Sequence, residues 1–300
     1  MYVILGATGH TGRVVANELL AKKKKVRVVG RDSKRLAAFT SHGGEAFAAN
    51  MTDEKTLNHA FAGAEAVYVV IPQDNASDNY RGFQSRATDA IARALENQGV
   101  KHAAALSSVG ADKADKTGPI AGLHELETRL NQIKGLNVVH LRAGYFMENT
   151  LAQVAVIRSM GVMSSPVDAD VRLPMIATRD IGAAAAEVLL KLDFEGKQIR
   201  ELHGQRDLTY TEAAGIVGQT IGKPDLKYVR LPDEQTVQAL TSMGMSQNVA
   251  SLILEMAQAI NRGHVKMLEQ RSARNTTPTS YETFVKEVFL PASKGKAVGA

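Results

Sequence analysis

The first fourteen residues constrain this chain more than any other stretch. An apolar run, Tyr2-Val3-Ile4-Leu5, leads straight into Gly6-Ala7-Thr8-Gly9-His10-Thr11-Gly12, and an amphipathic segment follows over residues 10–21 with Val14, Val15, Leu19 and Leu20 on its inner side. The pattern reads as buried strand, glycine turn, helix. Each glycine has its own physical reason. Gly6 permits a sharp exit from the strand, Gly9 lets a ligand approach the backbone, and Gly12 lets the helix pack tightly on the sheet. The G-x-x-G-x-x-G spacing is one residue longer than the G-x-G-x-x-G fingerprint of dinucleotide-binding turns, yet it keeps the side-chain-free floor. An ordinary glycine-rich loop is the plainer reading, and the flanking strand and helix count against it. Backbone N–H groups at the start of such a helix can cradle a diphosphate.

A second strand over residues 26–29 closes with Gly30-Arg31-Asp32-Ser33-Lys34-Arg35. In a βαβ unit of this kind the residue ending that strand faces the adenosine ribose, where a carboxylate accepts from the 2′-hydroxyl and selects NAD. Arg31 accepts nothing, but its guanidinium can fork onto a 2′-phosphate, and Lys34 and Arg35 add positive field. NADP(H) is therefore the preferred cofactor. Asp32 keeps NAD(H) open, because a shift of one position would bring a carboxylate to the ribose. A solvated basic turn is the bland alternative.

Residues 45–49 read as a third strand ending at Asn50-Met51, which this architecture places beside the adenine; Thr52 is expected to cap the next helix. Residues 66–71 (AVYVVI) form the clearest buried strand and break at Pro72-Gln73, putting Ile71, Pro72 and Gln73 along a cofactor-facing loop. A helix over 76–98 stops at Gly99, a strand over 101–106 ends in Ser107-Ser108-Val109-Gly110, and Pro119 opens a helix over 120–133 before a strand at 137–141. Six strands separated by helical crossovers predict the α/β class, a Rossmann-type doubly wound parallel sheet.

Beyond Arg142 the pattern becomes irregular. Thr209 with Glu212 and Thr279 with Glu282 have capping-box spacing and predict helix starts there. The expected organisation is an NAD(P)-binding domain over residues 1–150, to which a segment near 175–205 returns. A smaller mixed α/β substrate domain over 151–290 and a flexible tail over 291–300 follow. Eight of the ten methionines lie at or beyond residue 147, where they either line an apolar pocket or fill gaps in a core.

Composition excludes several chemistries. The 300 residues contain no cysteine, so disulfides, thiolate metal sites and a cysteine nucleophile are absent by inventory, and a reducing cytoplasm is the expected compartment. No leader pattern precedes the first strand and no apolar stretch approaches membrane-spanning length. The net charge of +5 comes from 36 basic and 31 acidic residues that are mostly interspersed; the Lys22–Lys25 run reads as a solvated helix end, and no nucleic-acid partner is expected. His124-Glu125-Leu126-Glu127-Thr128 starts like a zinc-helix motif but carries Thr128 where the second histidine would be, and Ser107 and Ser108 lack the glycines of a nucleophile elbow. With no Walker A sequence either, a nicotinamide hydride is the reactive group that remains.

The segments GATGHTG (6–12), VVGRDSKR (28–35), YFMEN (145–149) and TTPTSYETF (276–284), with the stretch at 240–263, resemble the NmrA-like family of atypical short-chain dehydrogenase/reductases. The resemblance covers nearly the whole chain. It implies that Gly6, Ala7, Thr8, Gly9, His10, Thr11 and Gly12 meet the pyrophosphate, with Arg31, Lys34 and Arg35 on the adenosine phosphate. It further implies Asn50 and Met51 by the adenine, Ile71, Pro72 and Gln73 along the cofactor, and Phe146 to Asn149 at the nicotinamide. Ser107 either lines the pocket or caps a loop, and Arg142 serves the site or a structural ion pair.

One departure matters. Typical short-chain dehydrogenases carry a Tyr-x-x-x-Lys pair, and none of the seven tyrosines here has lysine four residues on. The corresponding stretch runs from Ile120 to His124, so the usual proton donor is missing; His124 is the candidate catalytic replacement, since imidazole titrates near neutral pH, or else a plain helix histidine. Two functions follow. In one, NADPH delivers hydride to a quinone-like or other conjugated apolar acceptor, which needs little help from a tyrosine. In the other, the fold binds NADP(H) without turnover and reports redox state to a protein partner. An oligomer is compatible with both.

Overall fold

The computed structural model describes residues 1–295. The first half alternates strand and helix: β1 (Tyr2–Leu5), α1 (His10–Ala21), β2 (Val26–Gly30), α2 (Ser33–Leu36), β3 (Glu45–Ala48), α3 (Glu54–Phe61), β4 (Ala66–Val69), α4 (Tyr80–Asn97), β5 (His102–Ser108), α5 (Ile120–Asn131) and β6 (Asn137–Ala143). After β7 (Tyr145–Phe146), α6 (Gln153–Met160), β8 (Met163–Ser165), β9 (Leu173–Ile176) and α7 (Thr178–Lys191), the strand β10 (Lys197–Leu202) returns to pair in parallel with β6. The seven-stranded sheet is parallel throughout, in the order β10-β6-β5-β4-β1-β2-β3. It is a Rossmann-like α/β fold. The order reverses between β1 and β4, and the crevice beyond their C-terminal ends is where such sheets bind ligands.

Alternation within β1 explains the continuous apolar strands. Tyr2 and Ile4 face one core with Val15, Leu19 and Ile181, while Val3 and Leu5 face another with Leu57, Phe61 and Ile91. Helices cover both faces, so both side-chain rows must be apolar. The helix α7 returns with β10 and lies against α1 so closely that a Cβ on Gly182 would stand 2.6 Å from Val14 Cβ and 2.8 Å from the Thr11 carbonyl oxygen.

The rest of the chain forms β11 (Asp207–Leu208), α8 (Tyr210–Ile221), β12 (Tyr228–Arg230), α9 (Asp233–Ser242), α10 (Gln247–Asn261) and α11 (Tyr281–Phe284), which runs through a π turn into α12 (Leu290–Ser293). Small sheets β11-β9-β7 and β12-β8 and a third apolar core hold this half together. Met147, Met163 and Met175 fill that core, whereas Met160 and Met243 are exposed. Among the described residues no helix is long and apolar enough to cross a membrane.

Several local expectations are corrected. Asp53, not Thr52, caps α3, because its carboxylate reaches the Lys55 and Thr56 N–H groups. Asn79 caps α4, which begins four residues later than its composition suggests. Thr209 and Glu212 do form a capping box, but Ser280 rather than Thr279 caps α11; the Thr279 hydroxyl is committed to Asp180, 2.7 Å away. The expected tail is helical through Ser293, and its residues 296–300 lie outside the described residues.

Candidate cofactor site

The turn between β1 and α1 has no room for side chains. Gly6 has φ +61°, and its carbonyl accepts the Gly9 N–H at 2.9 Å. A Cβ on Gly12 would lie 2.4 Å from the Gly6 oxygen and 3.1 Å from Ala7 Cα, so Gly12 lets the start of the helix close onto the turn itself. Gly9 occupies the N-cap position with no side-chain cap, and the first turn of α1 carries no acidic residue. Its N–H groups and dipole are thus directed at whatever anion enters the crevice. Gly9 and His10 are exposed, Thr8 is half-buried and Ala7 is buried. The Thr11 hydroxyl faces inward, accepting from the buried Tyr68 phenol at 2.9 Å.

At the end of β2, Arg31 and Lys34 are exposed. Asp32 is the N-cap of α2: its carboxylate accepts the N–H groups of Lys34 at 2.9 Å and Arg35 at 3.2 Å. Both bonds are made by the same carboxylate oxygen, Oδ1. Arg35 donates through Nη2 to the Thr8 carbonyl at 2.9 Å, and so does Arg13 Nη2 at 3.4 Å. Arg13 was not legible as part of the site, although a cation in the first turn of a helix opposes the dipole and could have drawn notice. Beyond β3, the Asn50 side chain accepts from the Thr52 N–H and hydroxyl at 3.1 Å each, while Met51 is buried in the core beneath.

Past β4, Val70 touches the turn, with its Cγ1 2.8 Å from where a Gly6 Cβ would be. Ile71 is buried, Pro72 half-buried and Gln73 exposed. The loop that follows is pinned by the C-terminal half: Ser246 donates its N–H to Asn75 O at 2.9 Å and its hydroxyl to Ser77 O at 2.6 Å, and Asn248 accepts the Tyr80 N–H at 2.8 Å. The Glu255 carboxylate accepts the Gly118 N–H at 3.2 Å, and Val265 packs on Gly110. So α10 and the segment after it cover the loops beyond β4 and β5. Among the described residues no cluster of three or more histidines and carboxylates is arranged to hold a metal.

A profile of the NmrA-like family matches residues 2–285, from the start of β1 to just past α11. The chain belongs to the NmrA-like family. It is 29% identical over 258 residues to the NAD(P)H azoreductase of Xenophilus azovorans, an alignment covering 85% of this chain and 86% of that protein. The Escherichia coli NADPH-dependent quinone oxidoreductase QOR2, solved with NADPH, superposes with a TM-score of 0.80 at 26% identity, over 96% of this chain and 100% of that one. Citrobacter sp. triphenylmethane reductase, solved with NADP(H), gives a TM-score of 0.80 over 95% and 99% of the two chains; at 20% identity it speaks for the fold.

In this NmrA-like chain, the stretch matching the missing Tyr-x-x-x-Lys pair opens α5. Ile120 is buried, and His124 is half-buried with Nδ1 2.9 Å from the Ala111 carbonyl oxygen. That bond makes Nδ1 the N–H donor and leaves Nε2 as the second ring position for a proton. Ser107 is buried, and its hydroxyl donates to Glu127 at 2.6 Å. Arg142 binds the same carboxylate, so of its two readings the ion pair is the one formed. In β7 the side chains alternate. Phe146 packs with Val70 on the sheet side, and Tyr145 turns to the other core, its hydroxyl 2.8 Å from that of Tyr210. Glu148 accepts the Thr178 N–H at 3.0 Å and hydroxyl at 2.6 Å, holding the start of α7, and Asn149 is exposed.

Proposed function

We propose that this protein is an NADPH-dependent oxidoreductase that reduces a conjugated, largely apolar acceptor of the quinone or azo type. The observation that carries the reading is the pairing of a side-chain-free turn with a cationic end, Arg31, Lys34 and Arg35, in which the carboxylate of Asp32 is engaged in capping α2. The names of the azoreductase and the quinone oxidoreductase point the same way.

In this reading the N–H groups of residues 6–12 hold the diphosphate, and Arg31, Lys34 and Arg35 hold the 2′-phosphate. The backbone at Asn50 and Met51 borders the adenine, and Ile71, Pro72 and Gln73 run beside the dinucleotide. The bound nicotinamide supplies the hydride. Phe146 gives that ring an apolar wall and Asn149 a polar edge. The loop clamp made by Ser246 and Asn248 keeps water from the acceptor, which lies between the sheet edge and the C-terminal half over residues 151–290. His124 carries a proton at Nε2 for the reduced acceptor, its ring fixed through Nδ1. Quinones and azo compounds delocalise the incoming electrons, so positioning does most of the work and Ile120 is tolerated.

The test is loss of reduced-nicotinamide absorbance with NADPH or NADH across quinones, azo dyes and triphenylmethane dyes. Acceptor-dependent oxidation that favours NADPH is expected. Tight NADPH binding with no turnover on any acceptor would overturn the enzyme reading.

A further inference from the structure

Two guanidinium groups from different elements converge on one backbone oxygen. Arg13, from the first turn of α1, and Arg35, from α2, both donate to the Thr8 carbonyl, at 3.4 and 2.9 Å. A carbonyl has lone pairs for two donors but only a partial charge to set against two full ones. Arg31 and Lys34 lie in the same turn, and among the described residues none of these four cations has a carboxylate within salt-bridge distance. Asp32, the acid between them, has its carboxylate on the N–H groups of α2. Arg13 also lies at the helix end where the dipole disfavours a cation. Like charges gathered at a backbone turn, against the dipole, are the arrangement of a site completed by an anion.

We infer that Arg13 is a specificity-determining residue, a second guanidinium directed at the 2′-phosphate of the dinucleotide alongside Arg35, with the Thr8 carbonyl holding both forks in place before the ligand arrives. The inference rests on the phosphate reading of residues 31–35 and adds to it a residue from α1. Each arginine spends one N–H on Thr8 and keeps others for phosphate oxygens. NADH, with a 2′-hydroxyl, gains nothing from Arg13.

The experiment is calorimetric titration of the full chain with 2′,5′-ADP and 5′-ADP, and with NADPH and NADH, for the parent, Arg13→Gln, Arg13→Lys and Arg31→Ala. Glutamine can still donate to the Thr8 carbonyl but carries no charge, so it separates bracing of the turn from attraction of phosphate. For Arg13→Gln we expect about a ten- to hundredfold loss of 2′,5′-ADP and NADPH affinity, as for one charge-assisted hydrogen bond, with 5′-ADP and NADH affinity little changed. Arg13→Lys should recover part of the loss, and the apo melting temperature of each variant reports folding separately. If Arg13→Gln binds 2′,5′-ADP like the parent while Arg31→Ala does not, the inference falls and the phosphate reading stands. Equal losses for 2′,5′-ADP and 5′-ADP would make Arg13 a brace and overturn it too. If the parent itself fails to distinguish the two nucleotides, the phosphate reading falls and takes Arg13 with it.

Discussion

Arg142 and Glu127 form a bidentate ion pair in the interior, with Nε 2.9 Å from Oε1 and Nη2 2.6 Å from Oε2, and the residues are only 6% and 5% exposed. Ser107 adds a third donor to the same carboxylate, so β5, α5 and β6 are tied at one point beneath the crevice. Removing one member leaves the other charge buried and unpaired. Glu127→Gln or Arg142→Met should therefore cost about 3–5 kcal/mol in urea unfolding, and the apolar double variant Glu127→Met/Arg142→Met should be closer to the parent than either single change. Additive losses in the double variant would show that the pair is not coupled.

Gly12 offers the sharpest test of the turn. The Cβ of Gly12→Ala has no space beside the Gly6 carbonyl oxygen, only 2.4 Å away, and backbone cannot swing aside as a side chain can. Overpacking of this kind costs about 1–3 kcal/mol. Both the melting temperature and NADPH binding should fall, whereas alanine at the open Gly215 should leave binding intact.

Asp32 has a role that separates it from cofactor choice. As the N-cap of α2 its loss in Asp32→Ala should cost about 1 kcal/mol of stability. The ratio of NADPH to NADH affinity should stay near the parent's. A selective collapse of NADH binding in this variant would mean that the carboxylate reaches the ribose after all.

His140 gives the fold an acid-sensitive point. Its ring is buried on β6 with Nε2 donating to Asn131 at 2.9 Å; burial pulls its pKa from 6.5 down to about 4, with Glu127 opposing the shift and Arg142 and Lys197 adding to it. Between those values the unfolded chain binds a proton that the folded chain does not, so stability falls as pH drops through that window and is level above it. The loss attributable to this group approaches about 3 kcal/mol at the acid end. Urea unfolding at pH 7 and pH 4.5 should show a smaller pH difference in His140→Leu than in the parent; an equal difference would place the acid sensitivity elsewhere.

The parts legible in the sequence were those decided by near neighbours. Strand, turn and helix over residues 2–21 follow from an apolar run, glycines and helical spacing, all local, and so do the parallel crossovers and the Thr209–Glu212 capping box. A segment near residues 175–205 is expected to return to the first domain, but no apolar pattern marks β10, whose sequence KQIREL is mostly polar, and its pairing with β6 was decided only in three dimensions. What the residues do with their polar atoms was decided only in three dimensions. The Thr11 hydroxyl meets Tyr68, fifty-seven positions away; Ser107 meets Glu127; Thr279 meets Asp180; and Arg13 and Arg35 share Thr8. A one-dimensional pattern records how hydrophobic a position is and how often it recurs, which fixes the layer a residue enters. It does not record which distant donor or acceptor lies nearest once the layers pack, and a buried hydroxyl or carboxylate is stabilised by that partner because burial without one costs free energy.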